Sequence, residues 1–209
     1  ADASTNIMPW GILIGGEELH NNHHAFGSSA KFSVKPWEFD LGWMYIRIME
    51  TFGLATVRKL APARPAVDEA KSAIDFETLK AVAGNRLHVM ADFGRMVVKR
   101  VHREELARAG ADLKPALKPL RRLLLRAEER LNDAERDRLQ STLPLSQPLA
   151  VVYGFRQRLQ DIYEQRAASK ENLLNLLQDW CQQAETTGIQ ALQDFARTLR
   201  GYTLAPQAL

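Results

Sequence analysis

The order of apolar and polar positions after residue 75 predicts a helical region. Asp75 stands where an N-cap is expected, and apolar side chains then recur at steps of three and four residues, which is the spacing of one helix face. They are Leu79, Val82, Leu87, Met90, Phe93, Met96, Val97 and Val101. Further helices are predicted at about 114–127, 132–142, 147–166, 170–185 and 189–200, with Pro115, Pro119, Pro144, Pro148 and Gly188 as punctuation. No stretch alternates with the period typical of strands, so the predicted fold class is mainly α.

A shorter apolar segment lies nearer the N terminus. Residues 42–52 are rich in aromatic and aliphatic side chains and end at Gly53, which predicts a short amphipathic helix with a glycine after its last turn. Taken alone, such a segment is typical of a core helix, although Trp and Tyr also favour the headgroup level of a bilayer. No apolar run approaches the roughly 18 to 20 residues that a membrane-spanning helix needs.

A change of composition divides the chain near residue 62. Residues 61–66 form a Pro/Ala-rich linker, and the chain has six acidic and five basic side chains up to residue 62, against nineteen acidic and twenty-three basic after it. The net charge of +3 therefore comes from the C-terminal part. We predict two domains, residues 1–62 and residues 63–209, and the 45% hydrophobic content is enough for a sizeable core.

Basic side chains are concentrated between Lys99 and Arg126. Nine Lys or Arg residues stand there against three acidic ones, Glu104, Glu105 and Asp112. A basic helical surface of this kind can bind anionic lipid, nucleic acid or an acidic protein. Several acidic residues come directly after Arg126, so part of this charge is also expected to be used in helix ion pairs.

Three of the five histidines, His20, His23 and His24, lie within five residues. On a helical turn this spacing sends all three imidazoles to one face, and imidazole is a common ligand of iron and zinc, so we predict a metal site in preference to a solvated polar loop. A zinc hydrolase is disfavoured because the chain lacks the H-E-x-x-H pattern that places a general base between ligands. Cys181 is the single cysteine, which excludes an internal disulfide and a cysteine-ligated metal cluster.

The residues around this cluster are similar to the third histidine box of the membrane fatty acid desaturases. Gly16 and Glu17 precede the box, and Phe26 comes after it. Residues 35–43, and after them Ile46, Ile48 and residues 53–55, resemble the segment on the C-terminal side of the box in delta-9 acyl desaturases. The resemblance extends over residues 1 to about 62. Gly27 departs from it, because many members have proline there.

The resemblance implies a fatty acyl desaturase that uses O2 and a histidine-ligated di-iron centre to place a cis double bond in a saturated acyl chain. His20, His23 and His24 would be iron ligands, with no catalytic residue beyond the metal ligands. Only one of the family's three boxes is present, so the remaining iron ligands are absent from this chain. We therefore expect residues 1–62 to be the C-terminal part of a desaturase domain, catalytically incomplete alone.

The same resemblance assigns roles around the box. Glu17, Glu18 and Asp40 are candidates for accepting a hydrogen bond from the second nitrogen of a ligating imidazole. Lys31, Lys35 and Arg47 are candidates for contacting phosphates of an acyl carrier such as coenzyme A. The implied partners are an acyl-CoA or acyl-lipid substrate, an external ferredoxin- or reductase-like electron donor and membrane lipids. The implied location is the cytosolic face of the cytoplasmic membrane, where nucleic acid is not an expected partner.

A second, looser resemblance concerns the C-terminal residues 176–196. They belong to a stretch of about 30 residues that is similar to C-terminal helices of some insertion-sequence transposases and that has no visible acidic catalytic triad. We therefore interpret residues 63–209 as a helical domain appended to the desaturase. The alternative function for the chain is a non-catalytic helical module that binds nucleic acid, anionic lipid or protein through Lys99–Arg126.

Overall fold

The structure is a computed structural model that describes residues 19, 22, 29–33, 38–60, 65–165 and 168–204. The chain divides into two compact units, Ala1–Pro62 and Ala63–Leu209. The described residues are mainly helical, which confirms the predicted fold class.

The described part of the N-terminal unit is organised around helix α1, Leu41–Thr51. Asp40 caps this helix by accepting a hydrogen bond from the Trp43 N–H, and the chain leaves it through Gly53 at a φ of 69°. This positive φ explains the glycine, because only glycine adopts it without strain. The return segment is tied back by the N–H of Leu54 to the Met49 carbonyl, and the Ala30 N–H bonds the Lys59 carbonyl. The short helix predicted at residues 42–52 is therefore confirmed.

The C-terminal unit consists of packed helices closed by a small sheet. In chain order its elements are strand β1 (Ala66–Val67), α2 (Phe76–Gly84), α3 (Arg86–Phe93), a π-helical turn (Gly94–Val98), α4 (Lys99–Arg108), α5 (Lys114–Leu117), α6 (Leu120–Leu125), a 3-10 turn (Glu128–Arg130), α7 (Asp133–Thr142), a 3-10 turn (Leu143–Leu145), α8 (Gln147–Glu164), α9 (Lys170–Thr186), α10 (Gln190–Arg200) and strand β2 (Tyr202–Thr203).

These helices agree closely with the predicted ones, and their caps explain where they begin. Asp75 accepts from the Thr78 N–H at 2.8 Å, as predicted, and Asn132 forms a reciprocal capping box with Glu135. The helix predicted at 114–127 is two helices, because Pro119 has no N–H to continue the first. Leu87, expected on the apolar face, is 45% exposed, whereas Val89 in the same turn of α3 is buried.

Strand pairing is the feature that sequence reasoning missed. Ala66 pairs with Thr203 and Val67 with Tyr202 in an antiparallel ladder, which the bond from the Asp68 N–H to the Gly201 carbonyl extends. Each strand has two residues, too few for an alternating pattern to be visible. The ladder joins the two ends of the unit, so the chain enters and leaves the helical core at one place.

The core of the C-terminal unit contains a cluster of four aromatic rings from four helical elements. Trp180 makes edge-on contacts with Phe93, Phe155 and Phe195 at centroid distances of 6.2, 5.4 and 5.9 Å. Its indole N–H donates to the Phe155 carbonyl at 2.9 Å, so the one polar atom of the side chain is satisfied in the interior. Cys181 beside it is buried, and burial raises the pKa of its thiol to about 12. These contacts give the aromatic and leucine stripes a packing role.

Candidate functional site

The predicted metal ligands His20, His23 and His24 lie outside the described residues, as do Glu17, Glu18 and Lys35. Two described residues, one directly before the box and one within it, show how the backbone there is held. Leu19 is buried, and the side-chain amide of Asn22 donates to Glu38 Oε2 at 2.9 Å. Glu38 is itself buried. An apolar contact thus lies directly before the histidine box, and a polar contact lies within it.

Asp40 is a candidate acceptor of a hydrogen bond from the second nitrogen of a metal-bound imidazole, and the structure shows what else its carboxylate holds. One carboxylate oxygen accepts the backbone N–H groups of Phe32 and Ser33 at 2.6 and 2.8 Å. The other accepts the Trp43 N–H at 2.8 Å. The buried carboxylate therefore holds the preceding segment against the start of α1. Its role toward a metal-bound histidine stays a prediction.

Of the predicted phosphate contacts, Lys31 and Arg47 are described. Lys31 is exposed and forms no ion pair with another described residue. Arg47 forms an ion pair with Glu50 and lies over the Trp43 ring at 5.7 Å. Because its guanidinium already has these two contacts, Arg47 is less available than Lys31 for a carrier phosphate.

Other candidate metal ligands do not come together within the described part of the chain. There, no group of three or more His, Cys, Asp or Glu side chains is arranged to hold a metal ion. His102 is buried and its Nε2 donates to the Leu117 carbonyl at 2.9 Å, which makes it a core histidine. Among the same residues, no helix is long and apolar enough to cross a membrane.

The nine basic residues between Lys99 and Arg126 fall into two groups. Three of them are held by carboxylates. Arg100 bridges Asp194 and Glu104 at 2.7 and 3.1 Å, and the hydrogen bond that its guanidinium donates to Asp194 is the main cause that raises the pKa of Arg100. The other pairs are Arg108 with Glu105 and Arg126 with Glu135. Arg100 thereby joins α4 to α10, and Arg126 joins the end of α6 to α7, whereas the pair of Arg108 with Glu105 lies within α4.

The other six basic residues are exposed and form no ion pair with another described residue. Two lie one turn apart on α4, and four are spaced along α5, the turn after it and α6. The bond from His102 to Leu117 joins α4 to α5, so the two rows belong to adjacent helices. We call these residues the basic surface: Lys99, Arg103, Lys114, Lys118, Arg121 and Arg122.

Part of this division could have been seen in the sequence. Arg100 has Glu104 four residues later, the spacing of a helix ion pair, whereas Arg103 has Lys99 and Ala107 at the same separations. The pairing of Arg100 with Asp194, from the other end of the unit, had no local signal. For that reason the sequence alone could not show which arginines form ion pairs within the fold and which are available to a binding partner.

The C-terminal unit can now be assigned to a class of protein. The family model of the ISL3-type DDE transposases, described as a transposase, matches residues 79–205. This range is more than half of the 209 residues, so the chain belongs to this transposase family. The transposase of insertion sequence element IS1001 from Bordetella parapertussis is 38% identical over 119 residues, which are 55% of this chain and 28% of that protein.

A second group of relatives contains desaturases. The sn-1 stearoyl-lipid 9-desaturase of Anabaena variabilis is 48% identical over 60 residues, 29% of this chain and 22% of that enzyme. Delta-9 acyl-lipid desaturase 1 of Arabidopsis thaliana is 44% identical over 59 residues, 28% of this chain and 19% of the enzyme. A desaturase-like segment is therefore present. The chain spans less than a third of each of these curated relatives, and no solved structure matches it.

The family match corrects one sequence interpretation. The transposase resemblance, taken to cover about 30 residues near the C terminus, extends over residues 79–205. The helical unit is thus related to transposases, whereas the sequence interpretation took it as a helical domain appended to the desaturase. The likeness was underestimated because amphipathic leucine patterns between residues 79 and 175 are common to many helical domains.

Proposed function

We propose that the C-terminal unit is a non-catalytic helical module of a DDE-type transposase and that it holds duplex DNA by its phosphates. The observation that carries the proposal is the basic surface, six exposed cations on adjacent helices in a chain of the transposase family. Contacts to phosphates provide affinity and position and do not require base recognition.

The side chains of the basic surface suit this role. Lys114, Lys118 and Arg121 succeed one another at four- and three-residue steps, while Leu117, Leu120 and Leu124 between and beside them are buried in the core. The buried leucines hold the backbone in place, so only the basic side chains themselves have to move in order to reach a phosphate. Arginine adds planar donors that match phosphate oxygens.

Anionic lipid and acidic protein are competing partners for the same surface. The desaturase resemblance implies membrane lipids as partners in preference to nucleic acid. That reason does not apply to a unit related to transposases. DNA is favoured because the curated relative is a transposase for an insertion sequence element, and such an element is DNA.

The test measures how the full chain binds a fluorescent duplex of about 30 base pairs over a range of salt concentrations. Lys99, Arg103, Arg121 and Arg122 are changed together to Gln. We expect weaker binding by at least about tenfold at low salt, and a slope of log affinity against log salt smaller by about 3 to 4, since each lost phosphate contact removes about 0.9.

A matched control changes four exposed cations elsewhere in the chain, Arg58, Lys80, Arg138 and Lys170, to Gln. The control has the same net charge as the test variant, so equal weakening of both would contradict a localised surface. Liposomes with anionic headgroups form a second arm. If the four-residue variant loses liposome binding while DNA binding is unchanged, lipid is the partner and the DNA proposal fails.

A second function is proposed for residues 1–62 because of the desaturase-like segment. We propose that this segment supplies part of the iron site of an O2-dependent acyl desaturase, with His20, His23 and His24 as ligands. Three imidazoles are a donor set that fits iron. When bound, the di-iron centre supplies the oxidant that removes hydrogens from an acyl methylene pair. Asn22 and Glu38 hold the polypeptide next to the ligands, and Asp40 fixes the following helix.

This second proposal is tested by exchange. Residues 1–62 replace the matching segment of the Anabaena variabilis desaturase, and the fatty acids of cells that express the chimaera are analysed by gas chromatography. We expect unsaturated product from the chimaera and none after His20→Ala, His23→Ala or His24→Ala. His102→Ala, a histidine outside the segment, is tested in the full chain as a control for iron binding and should leave it unchanged. Product from all three box variants would refute the ligand assignment.

A further inference from the structure

A buried histidine joins the two helices that carry most of the basic surface. His102, on α4, is 5% exposed, and its Nε2 donates at 2.9 Å to the carbonyl of Leu117, the last residue of α5. The last carbonyls of a helix have no partner within the helix, and Pro119 has no N–H with which the chain could continue it. The imidazole therefore supplies a donor that this helix end needs.

The two joined helices differ in how they are held. Helix α4 has further polar contacts, because Arg100 pairs with Asp194 of α10 and Glu105 accepts from Ser146, the cap of α8, both at 2.7 Å. Of the hydrogen bonds described for α5, only the one from His102 comes from another helix. The position of α5 relative to α4 therefore depends on this bond together with apolar packing.

Exposed cations stand at equal offsets from the two joined residues. On each helix, one cation lies three residues before the joined residue and one lies directly after it: Lys99 and Arg103 on α4, Lys114 and Lys118 at α5. Residues 109–113 connect the helices, a length typical of antiparallel pairs. In an antiparallel pair, equal offsets from the point of contact lie on the same side. The four cations are thus placed on one side of the pair, two on each helix.

From this arrangement we propose that His102 is a positioning residue for DNA: its hydrogen bond sets the separation of the two pairs of cations, so that each pair contacts one strand of a duplex. The axes of packed helices lie about 8–10 Å apart, and the minor groove between two strands is about 6 Å wide. Long basic side chains bridge the difference. This proposal rests on the proposed binding of duplex DNA by the basic surface.

A consequence is a preference for duplex over single-stranded DNA. The two backbones of a duplex have a fixed separation, so they match two pairs of cations only when the pairs are also fixed. A single strand is flexible and adapts its phosphates to either arrangement. The bond from His102 should therefore matter for a duplex and have little effect on a single strand.

The test compares the affinity of the full chain for a fluorescent duplex of about 30 base pairs with its affinity for one strand of that duplex, at one low salt concentration. His102→Leu keeps an apolar side chain of similar size in the interior and removes the donor. We expect its duplex affinity to fall by about five- to tenfold and its single-strand affinity to change by less than about twofold. His102→Gln, whose amide can donate to the same carbonyl, should restore most of the duplex affinity.

A matched control removes another buried hydrogen bond of the same length. Trp180→Phe deletes the N–H that donates to the Phe155 carbonyl at 2.9 Å, away from the basic surface. It should lower the thermal stability of the unit and leave the ratio of duplex to single-strand affinity unchanged. Equal weakening of both DNA forms by His102→Leu would overturn the proposal. So would a loss of the ratio in Trp180→Phe, because His102 would then act only through stability.

A second set of variants leaves the interior intact and therefore applies even if His102→Leu does not fold. Either pair of cations is changed to Gln, Lys99 with Arg103 or Lys114 with Lys118. Each change should bring the ratio of duplex to single-strand affinity close to that of His102→Leu or lower. A ratio unaffected by the loss of one pair would refute the two-strand arrangement. If instead neutralising the whole basic surface leaves duplex binding unchanged, the proposed function itself fails.

Discussion

Two amphipathic helices in this chain have opposite surroundings. Helix α10 buries Leu192, Phe195 and Leu199 completely in the core of the C-terminal unit, whereas α1 exposes Ile48 and Phe52. Both have an apolar stripe of helical period. The difference shows that an apolar stripe indicates that a helix needs an apolar partner but does not identify that partner. For α10 the partner lies in the same unit, and for α1 none of the described residues supplies it.

The largest contrast is expected from the tryptophans. Trp180→Ala should reduce the free energy of unfolding of the C-terminal unit by about 3 to 5 kcal/mol, because it leaves a cavity among three aromatic rings. Trp43→Ala, in α1, should leave this transition unchanged. Urea denaturation followed by circular dichroism measures both. Equal effects of the two substitutions would show that the two units do not unfold independently.

Alanine substitutions at two glycines should change the free energy of unfolding by smaller amounts and in opposite directions. A Cβ at Gly201 would lie 2.7 Å from the Asp68 carbonyl oxygen, so Gly201→Ala must displace backbone and should cost about 1 to 3 kcal/mol of unfolding free energy. Gly154 lies inside α8, where an added Cβ would meet no atom of a neighbouring element within 4 Å, and Gly154→Ala should stabilise by about 0.5 to 1 kcal/mol. Thermal denaturation of both variants tests the difference. Destabilisation by both substitutions would mean that helix propensity does not determine the effect of alanine at position 154.

The smallest effect is expected from helix capping, a device that both units use. Asp75 caps α2, and its hydrogen bonds with Lys71 and with the Thr78 N–H lower the pKa of its carboxyl to about 2. Because this pKa is below its unfolded value, the stabilisation is present above about pH 4 and is lost as the pH falls from about 4 to about 2. Asp75 is exposed, so we expect an effect of at most about 1 kcal/mol.

The measurement is the free energy of unfolding of the C-terminal unit at several pH values between about 5 and about 2. Asp75→Asn keeps a capping oxygen but has no carboxyl to titrate, so it should flatten the pH dependence. Asp40→Asn, at the cap of α1, should leave the pH dependence of this unit unchanged. An unchanged pH profile after Asp75→Asn would show that another group causes the acid sensitivity.

Much of the C-terminal fold could be predicted because its signals are local. The helices between residues 133 and 200 were predicted within two residues at nearly every end, since Asn132, Ser146 and Ser169 supply cap oxygens and Gly188 breaks the chain. The candidate sites were predictable only in part. The basic run was visible, but the residues within it that are available were not, because the pairing of Arg100 with Asp194 depends on how α4 packs.

The sequence by itself determined the helical class of the fold, the position and caps of most helices, the change of composition near residue 62 and the histidine box that marks the desaturase-like segment. These depend on the spacing of side chains along a few turns, which is visible in the sequence. Only the tertiary structure decided that β1 and β2 pair, that Trp180 joins three aromatic rings, that six of nine cations form no ion pair with another described residue and that the apolar face of α1 is exposed. The reason is physical: each of these depends on contacts between residues far apart in the chain, and local periodicity specifies that a surface must be covered without specifying what covers it.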